Sequence, residues 1–141
     1  MNVRPDIIAE VRRWVEKAEH DLANAEYVIT MKENCPFDTV CFHCQQCVEK
    51  YLKSILLLHE IPFPKTHDLR LLLDLIRQKT DVTISPETVI PLNRYTIEGR
   101  YPGDWEPITE EETHEALNMT RVTREAVRKC LPDKALEHRG K

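Results

Sequence analysis

The sequence predicts an all-α protein, an antiparallel up-and-down bundle of four to five helices. Its 141 residues include only three glycines and 31% charged residues, a composition typical of helices rather than of a turn-rich β fold. Apolar residues recur at spacings of three and four in several long segments, as on the buried face of a helix. The connections are short, so neighbouring helices should run antiparallel. The chain is long enough for one domain with its own core.

Two long helices are predicted in the N-terminal half. The first covers residues 5–33, because Pro5 suits a first helical turn and an apolar stripe continues to Ile29. It should end before Pro36, since a proline disfavours helix at the residue before it. The second covers residues 37–60 and is followed by a stiff connector that contains two prolines.

A short pair of helices should follow. The third begins at His67 or Asp68 and ends near residue 79. The fourth lies within residues 85–100, with Ser85 as its N-terminal cap.

A loop over residues 101–107 separates this pair from a closing long helix. That helix begins at Thr109, where Glu112 completes a capping box. The predicted domain is 1–132, and residues 133–141 are expected to form a frayed tail.

The charge of the chain limits what it can bind. A formal charge of −4 argues against a protein that coats nucleic acid through bulk electrostatics. Any RNA contact should come from a local basic patch, for which the candidates are Lys50, Lys53, Arg94 and Arg100. No stretch approaches the roughly 18 apolar residues of a membrane span, and no signal peptide opens the chain. We therefore expect a soluble, cytoplasmic protein.

Five cysteines raise the question of a metal site or disulfides. Cys41, Cys44 and Cys47 are three residues apart on the predicted second helix. Zinc pairs of this spacing usually lie on a turn, where both thiolates reach one ion. On a helix, the first and last of these thiols are almost two turns apart. The pattern favours small, buried, reduced side chains, and neither a metal nor a cofactor is expected.

The second helix has a polar face of unusual composition. His43, Gln46, Lys50 and Lys53 gather on one side at spacings of three and four, flanked by Phe42 and Leu57. The opposite side is apolar and comprises Val40, Cys44, Cys47, Val48, Tyr51, Leu52 and Ile55. The polar side chains are either solvated surface or a site for a partner or a phosphate-bearing ligand.

Asp21 and Arg100 are further candidates for this site. Asp21 lies at the edge of the apolar stripe of the first helix, so it either forms a buried ion pair or orients His43 or Arg100. Arg100 can grip a phosphate bidentately, with Tyr95 and Tyr101 stacking on a base. Alternatively, Arg100 only ties its loop to the bundle.

Four segments resemble the HEPN family, the higher eukaryotes and prokaryotes nucleotide-binding domain. Residues 42–54, FHCQQCVEKYLKS, resemble its signature F-H-A-Q-Q-A-x-E-K-x-L-K-A without a gap. Residues 65–69 resemble its T-H-D-L entry to the third helix, and residues 94–102 its Y…R-Y-P segment. Residues 18–25 are similar to the A-x-x-D-L-x-x-A of the first helix. The resemblance spans residues 10–130, and it implies a helical bundle.

The resemblance also implies a function. Small prokaryotic members pair with a minimal nucleotidyltransferase, often as a two-component, toxin–antitoxin-like module, and dimerise through their helices. By resemblance, His43, Gln46, Lys50, Lys53, Arg100, Tyr101 and Asp21 would bind a nucleotide or RNA. A pure helical adaptor without nucleotide affinity is a further alternative.

Ribonucleases of this family carry R-x(4–6)-H, and this motif is not at its expected place. After Arg100 no histidine occurs before His114, while the formal match at Arg13 and His20 lies in the first helix. The alternative to a binding partner is a metal-independent ribonuclease that uses Arg100 with His43. His67 is a second possible base, although a histidine in that position more often caps a helix.

Overall fold

The computed structural model describes residues 3–96 and 106–137, and these contain helices and no strand. The elements are α1 (Pro5–Val28), α2 (Phe37–Leu58), α3 (Leu69–Lys79), two 3₁₀ helices (Pro86–Thr88 and Ile90–Tyr95), α4 (Glu110–Arg128) and α5 (Asp133–Leu136). The predicted all-α helical bundle is confirmed.

The helix α2 lies at the centre of the bundle and packs against α1, α3, α4 and the second 3₁₀ helix. Contacts between α1 and α2 pair early residues with late ones. Arg4, just before α1, bonds Glu60 just after α2 at 3.0 Å, and Asp21 bonds His43 at 2.8 Å. The two helices therefore run antiparallel. Apolar side chains from all these elements meet α2 in one continuous core.

The helix α4 runs parallel to α2, as the fourth member of an up-and-down bundle should. Near the start of both helices, the Cys41 thiol approaches the Thr113 hydroxyl at 3.5 Å. Near the other end, Arg128 donates to the Tyr51 hydroxyl at 3.1 Å. Tyr51 is fully buried, so its hydroxyl must find its partners within the protein.

Glu19 on α1 joins three helices through one carboxylate. It accepts the Tyr51 hydroxyl at 2.5 Å and two bonds from the Arg124 guanidinium at 2.8 Å each. Burial by itself raises the pKa of Glu19, but the bonds from Arg124 and Tyr51 outweigh it and hold that pKa below its usual value. Burial and the bond to Glu19 raise the pKa of Tyr51.

The first helix ends earlier than predicted, at Val28 rather than at residue 33. The backbone N–H groups of Thr30 and Met31 bond the carbonyls three residues before them, at 3.2 and 3.0 Å. Such bonds tighten the last turn and satisfy carbonyls that a longer helix would use.

The sequence predicts one fourth helix within residues 85–100, whereas the described part of that segment, residues 85–96, forms two short 3₁₀ helices. Pro91 lies inside it, and a proline removes an N–H donor and disfavours α geometry at the residue before it. Ser85 does not cap a helix backbone, since its hydroxyl donates to the Glu87 carboxylate.

Two helix starts follow local sequence signals. The Thr109 hydroxyl accepts the backbone N–H of Glu112 at 3.0 Å, as predicted for the start of α4. For α3 the cap is Asp68 rather than His67, and its carboxylate accepts the N–H of Arg70 at 3.0 Å.

Residues 133–136, predicted as part of a frayed tail, form the short helix α5 against α1. The Arg12 guanidinium donates to the carbonyl of Lys134 at 3.0 and 2.5 Å, and Ala135 is fully buried. This contact satisfies the guanidinium of an arginine that is itself buried. The remainder of that tail, residues 138–141, lies outside the described residues.

All five cysteines are free, and Cys41, Cys44 and Cys47 are fully buried as predicted. Burial raises the pKa of the Cys44 thiol to about 12. Within residues 3–96 and 106–137, no group of histidine, cysteine and acidic side chains has the arrangement of a metal site. None of the helices described is long and apolar enough to cross a bilayer.

Candidate functional site

The predicted polar face of α2 is divided into two clusters by the packing of the bundle. His43 and Lys50 face α1 and meet Asp21. Lys53 also approaches α1, near Trp14, but it pairs with Glu49 of its own helix and, through that carboxylate, meets His67. The four predicted side chains therefore do not share one cluster, because they bond different partners.

The first cluster is centred on the carboxylate of Asp21. The Nδ1 atom of His43 lies 2.8 Å from one oxygen, and the Lys50 ammonium donates to the other. The side chains of Asp21, His43 and Lys50 are 12%, 26% and 23% exposed. Asp21 thus forms an ion pair with Lys50 that is largely shielded from water, and it also contacts the His43 ring.

The second cluster is centred on the carboxylate of Glu49, which is only 4% exposed. The Lys53 ammonium donates to one oxygen at 2.9 Å, and Nδ1 of His67 lies 2.8 Å from the other. Lys53 is itself only 9% exposed, and its ammonium lies 5.6 Å from the Trp14 ring centre and 5.8 Å from that of Phe63. The predicted binding residue Lys53 is therefore a largely buried cation with a fixed partner.

Two glutamines extend this second cluster. Gln45 donates to the Glu49 carboxylate at 3.2 Å and to the backbone carbonyl of His67 at 3.1 Å. Gln46, a predicted binding residue, donates to the side-chain oxygen of Gln45 at 2.7 Å. The side chain of Gln45 is fully buried, so these bonds satisfy groups that water does not reach.

A cavity of about 760 Å³ opens beside the second cluster, between the end of α2, the connector to α3 and the second 3₁₀ helix. Its described lining residues are Lys53, Lys65, Thr66, His67, Asp68, Asn93 and Thr96. Every one of them carries a polar side chain. Lys65 is exposed and forms no ion pair with any residue in 3–96 or 106–137, so its ammonium can meet an anion.

The floor of this cavity includes the capped start of α3. Asn93 accepts the backbone N–H of Leu69 at 2.8 Å and donates to Oδ1 of Asp68 at 3.0 Å. Asn93 therefore fixes the second 3₁₀ helix to α3 and holds the cavity wall in place. The N-terminus of α3, which is the positive end of the helix dipole, therefore lies at this cavity beside Asp68.

Several predicted residues have other roles or lie elsewhere. Tyr95, offered for base stacking, is buried, and its hydroxyl donates to Glu112 at 2.5 Å. Arg94, offered for a basic patch, also donates to Glu112. Arg100 and Tyr101 lie outside the described residues, and so does the R-Y-P motif.

One of the two flanking apolar residues, Leu57, differs from expectation, whereas Phe42 lies beside His43 as predicted. Leu57 packs against the core rather than standing beside the polar row. Phe42 contacts the ring of His43 edge to face, with ring centres 5.4 Å apart. Phe42 thus limits the positions that the His43 ring can take.

Glu49, Lys65 and Asn93 are absent from the predicted site, although the first two carry a sequence signal. Glu49 and Lys53 are four residues apart on one helix, a spacing that favours an ion pair. Lys65 precedes the T-H-D-L segment directly. Asn93 carries no such signal, because its contact with α3 joins residues 24 positions apart.

The comparison with protein families identifies the class of this protein. The model of the HEPN domain matches residues 11–130. The chain belongs to the HEPN family, and the match runs from within α1 to the end of α4, a range that includes both clusters and the cavity. Comparisons with curated proteins and with solved structures gave no match.

Proposed function

We propose that this HEPN protein binds a nucleotide or RNA by its phosphate groups and acts as the partner of a minimal nucleotidyltransferase in a two-component, toxin–antitoxin-like module. The observation that carries the first part is the polar cavity beside Lys53 and Lys65. Its volume is within the range of small-molecule sites, about 300–1,000 Å³. Five unpaired thiols are compatible with a reducing cytoplasm.

Although the chain as a whole is negatively charged, the charges that line the cavity favour an anionic ligand. Two lysines line it against one aspartate, Asp68. Glu49 lies behind Lys53 and neutralises part of its charge, whereas Lys65 has no such partner among the described residues. Ammonium groups bind phosphate as point charges, and the start of α3 adds its dipole.

A matched pair of lysine variants tests nucleotide binding. ATP is titrated against the wild type, Lys65→Gln and Lys17→Gln by calorimetry. Lys17 is exposed on α1, away from the cavity lining, so its variant has the same change in net charge. We expect Lys65→Gln to weaken binding by about tenfold and Lys17→Gln to bind as the wild type does. Equal affinities in both variants would place the ligand elsewhere, and no binding at millimolar ATP would leave a helical adaptor.

The partnership is a separate proposal with its own test. The tagged protein is purified from its native cells, and co-purifying proteins are identified by mass spectrometry. Recovery of a protein with a nucleotidyltransferase domain supports the proposal, and its absence from repeated purifications counts against it. Light scattering on the purified protein tests the proposed homodimer, which should have twice the monomer mass.

One observation favours a second function, a metal-independent ribonuclease. Because an ionised carboxylate only accepts hydrogen bonds, Asp21 favours the proton on Nδ1 of His43. The Nε2 atom is then a base that can take the proton of a ribose 2′-hydroxyl. That oxygen would attack the adjacent phosphorus, and the 5′-oxygen would leave with a proton from water.

Metal-stripped wild type, His43→Ala and Arg100→Ala are incubated with total RNA to test this function. Cleavage by the wild type that both variants lose supports a ribonuclease in which His43 is the base and Arg100 binds the phosphate. Intact RNA in all three samples leaves the binding partner as the function.

A further inference from the structure

The cavity contains one feature that a pure phosphate site would not need, the carboxylate of Asp68. Its Oδ1 atom accepts the N–H of Arg70 and the amide of Asn93, both at 3.0 Å. Its other oxygen, Oδ2, accepts no hydrogen bond from any residue within 3–96 or 106–137. Asp68 is exposed and lines the same cavity as the lysines.

The Asp68 carboxylate would repel an anionic ligand next to Oδ2 unless that ligand also carries a hydrogen-bond donor. A ribose provides that donor, because its 2′- and 3′-hydroxyl groups can donate to a carboxylate while the attached phosphates meet the lysines. Carboxylates bind ribose hydroxyls in other nucleotide sites by this chemistry. The 2′-hydroxyl is also the group that distinguishes RNA from DNA.

On the basis of the proposed nucleotide binding, we infer that Asp68 is a specificity-determining residue that selects ribonucleotides over deoxyribonucleotides. Lys65 meets the phosphates of the ligand, and Oδ2 of Asp68 accepts the ribose 2′-hydroxyl. The N-cap bond of α3 is accepted by Oδ1 of Asp68, and the ribose hydroxyl would be accepted by Oδ2. Helix capping and ligand recognition therefore use different oxygens of the same side chain. The two roles can therefore be separated by substitution.

The variant that separates helix capping from ligand recognition is Asp68→Asn. Asparagine is as good an N-cap as aspartate, so the start of α3 should persist while Oδ2 is replaced by an amide nitrogen that cannot accept. Circular dichroism and thermal melting verify that the variant folds like the wild type. Asp68→Ser, which also retains a capping oxygen, is the second variant.

Binding of ATP, 2′-deoxy-ATP, 2′,3′-dideoxy-ATP and inorganic tripolyphosphate is measured by calorimetry for each protein. For the wild type we expect ATP to bind about fivefold more tightly than 2′-deoxy-ATP, the effect of one hydrogen bond, and 2′,3′-dideoxy-ATP to bind as 2′-deoxy-ATP does. In Asp68→Asn this preference should disappear, whereas tripolyphosphate should bind more tightly because a negative charge has been removed. A purely structural role for Asp68 would weaken all four ligands together.

The outcomes separate this inference from the proposed function. If the wild type binds ATP and 2′-deoxy-ATP equally, or if both Asp68 variants retain the preference for ATP, the inference is overturned and nucleotide binding stands. If none of the four ligands binds at millimolar concentration, both the inference and the nucleotide-binding proposal fail.

Discussion

Removal of the Lys53 ammonium should destabilise the fold more than removal of any partly exposed lysine. The variant Lys53→Met retains most of the apolar stem between Trp14 and Phe63 but leaves the Glu49 carboxylate, 4% exposed, without its ammonium partner. Breaking a buried ion pair in this way costs about 3–5 kcal/mol. Because His67 still contacts Glu49, we take the lower end, about 3 kcal/mol.

The assay is thermal unfolding followed by circular dichroism. Unfolding entropy scales with chain length, and for 141 residues about 3 kcal/mol corresponds to a fall in Tm of roughly 10 °C. The matched control is Lys50→Met on the same helix, whose partner Asp21 retains His43 and whose ammonium is 23% exposed. That variant should lose only about 1–2 kcal/mol.

A double variant distinguishes the cost of leaving a buried carboxylate unpaired from the cost of lost side-chain packing. Glu49→Gln removes the carboxylate charge but preserves its volume and an acceptor for its neighbours. Combined with Lys53→Met, it should recover about half of the lost stability, because no buried charge remains unpaired. The reasoning is refuted if Lys50→Met costs as much as Lys53→Met, or if the double variant is no more stable than Lys53→Met alone.

Three further predictions concern the buried groups of α1 and α2. Tyr51→Phe should lose about 1–2 kcal/mol in urea unfolding, because Glu19 and Arg128 lose a buried partner. The folded pKa of Glu19 is depressed, so its stabilisation should vanish as pH falls below about 4.5, and Glu19→Gln should flatten that part of a pH–stability curve. The thiols of Cys44 and Cys47, whose pKa values burial raises, should not react with a disulfide reagent at pH 8 until guanidinium unfolds the protein.

The helices were largely predictable from local patterns, and the errors have local causes too. The bounds of α2 and α3 and the Thr109 cap follow from apolar spacing and capping residues. A single fourth helix does not form because Pro91 interrupts the segment, and this signal is as local as the Ser85 that predicts the start of the helix. Each of these features depends on residues within one or two turns, which is why a sequence alone can indicate them.

The candidate site was predictable only in its chemistry. The sequence predicts Asp21, His43 and Lys50 as polar residues near an apolar stripe, and the structure brings these three together. The sequence also predicts Lys53 beside them, yet it lies with Glu49 in a separate cluster. Helical periodicity places His43, Lys50 and Lys53 within one broad sector of α2, and it cannot show which carboxylate each of them pairs with.

The sequence by itself determined the helical class, the HEPN membership and the residue types that can meet a phosphate. Those properties depend on residue identity and on spacings within one helix. Only the tertiary structure decided that Lys53 is buried, that Lys65 and Asp68 share a cavity with it, and that Asn93 fixes the wall of that cavity. These facts join segments that are 12 or more positions apart in the chain, and whether a charge is exposed or paired depends on which segments pack together.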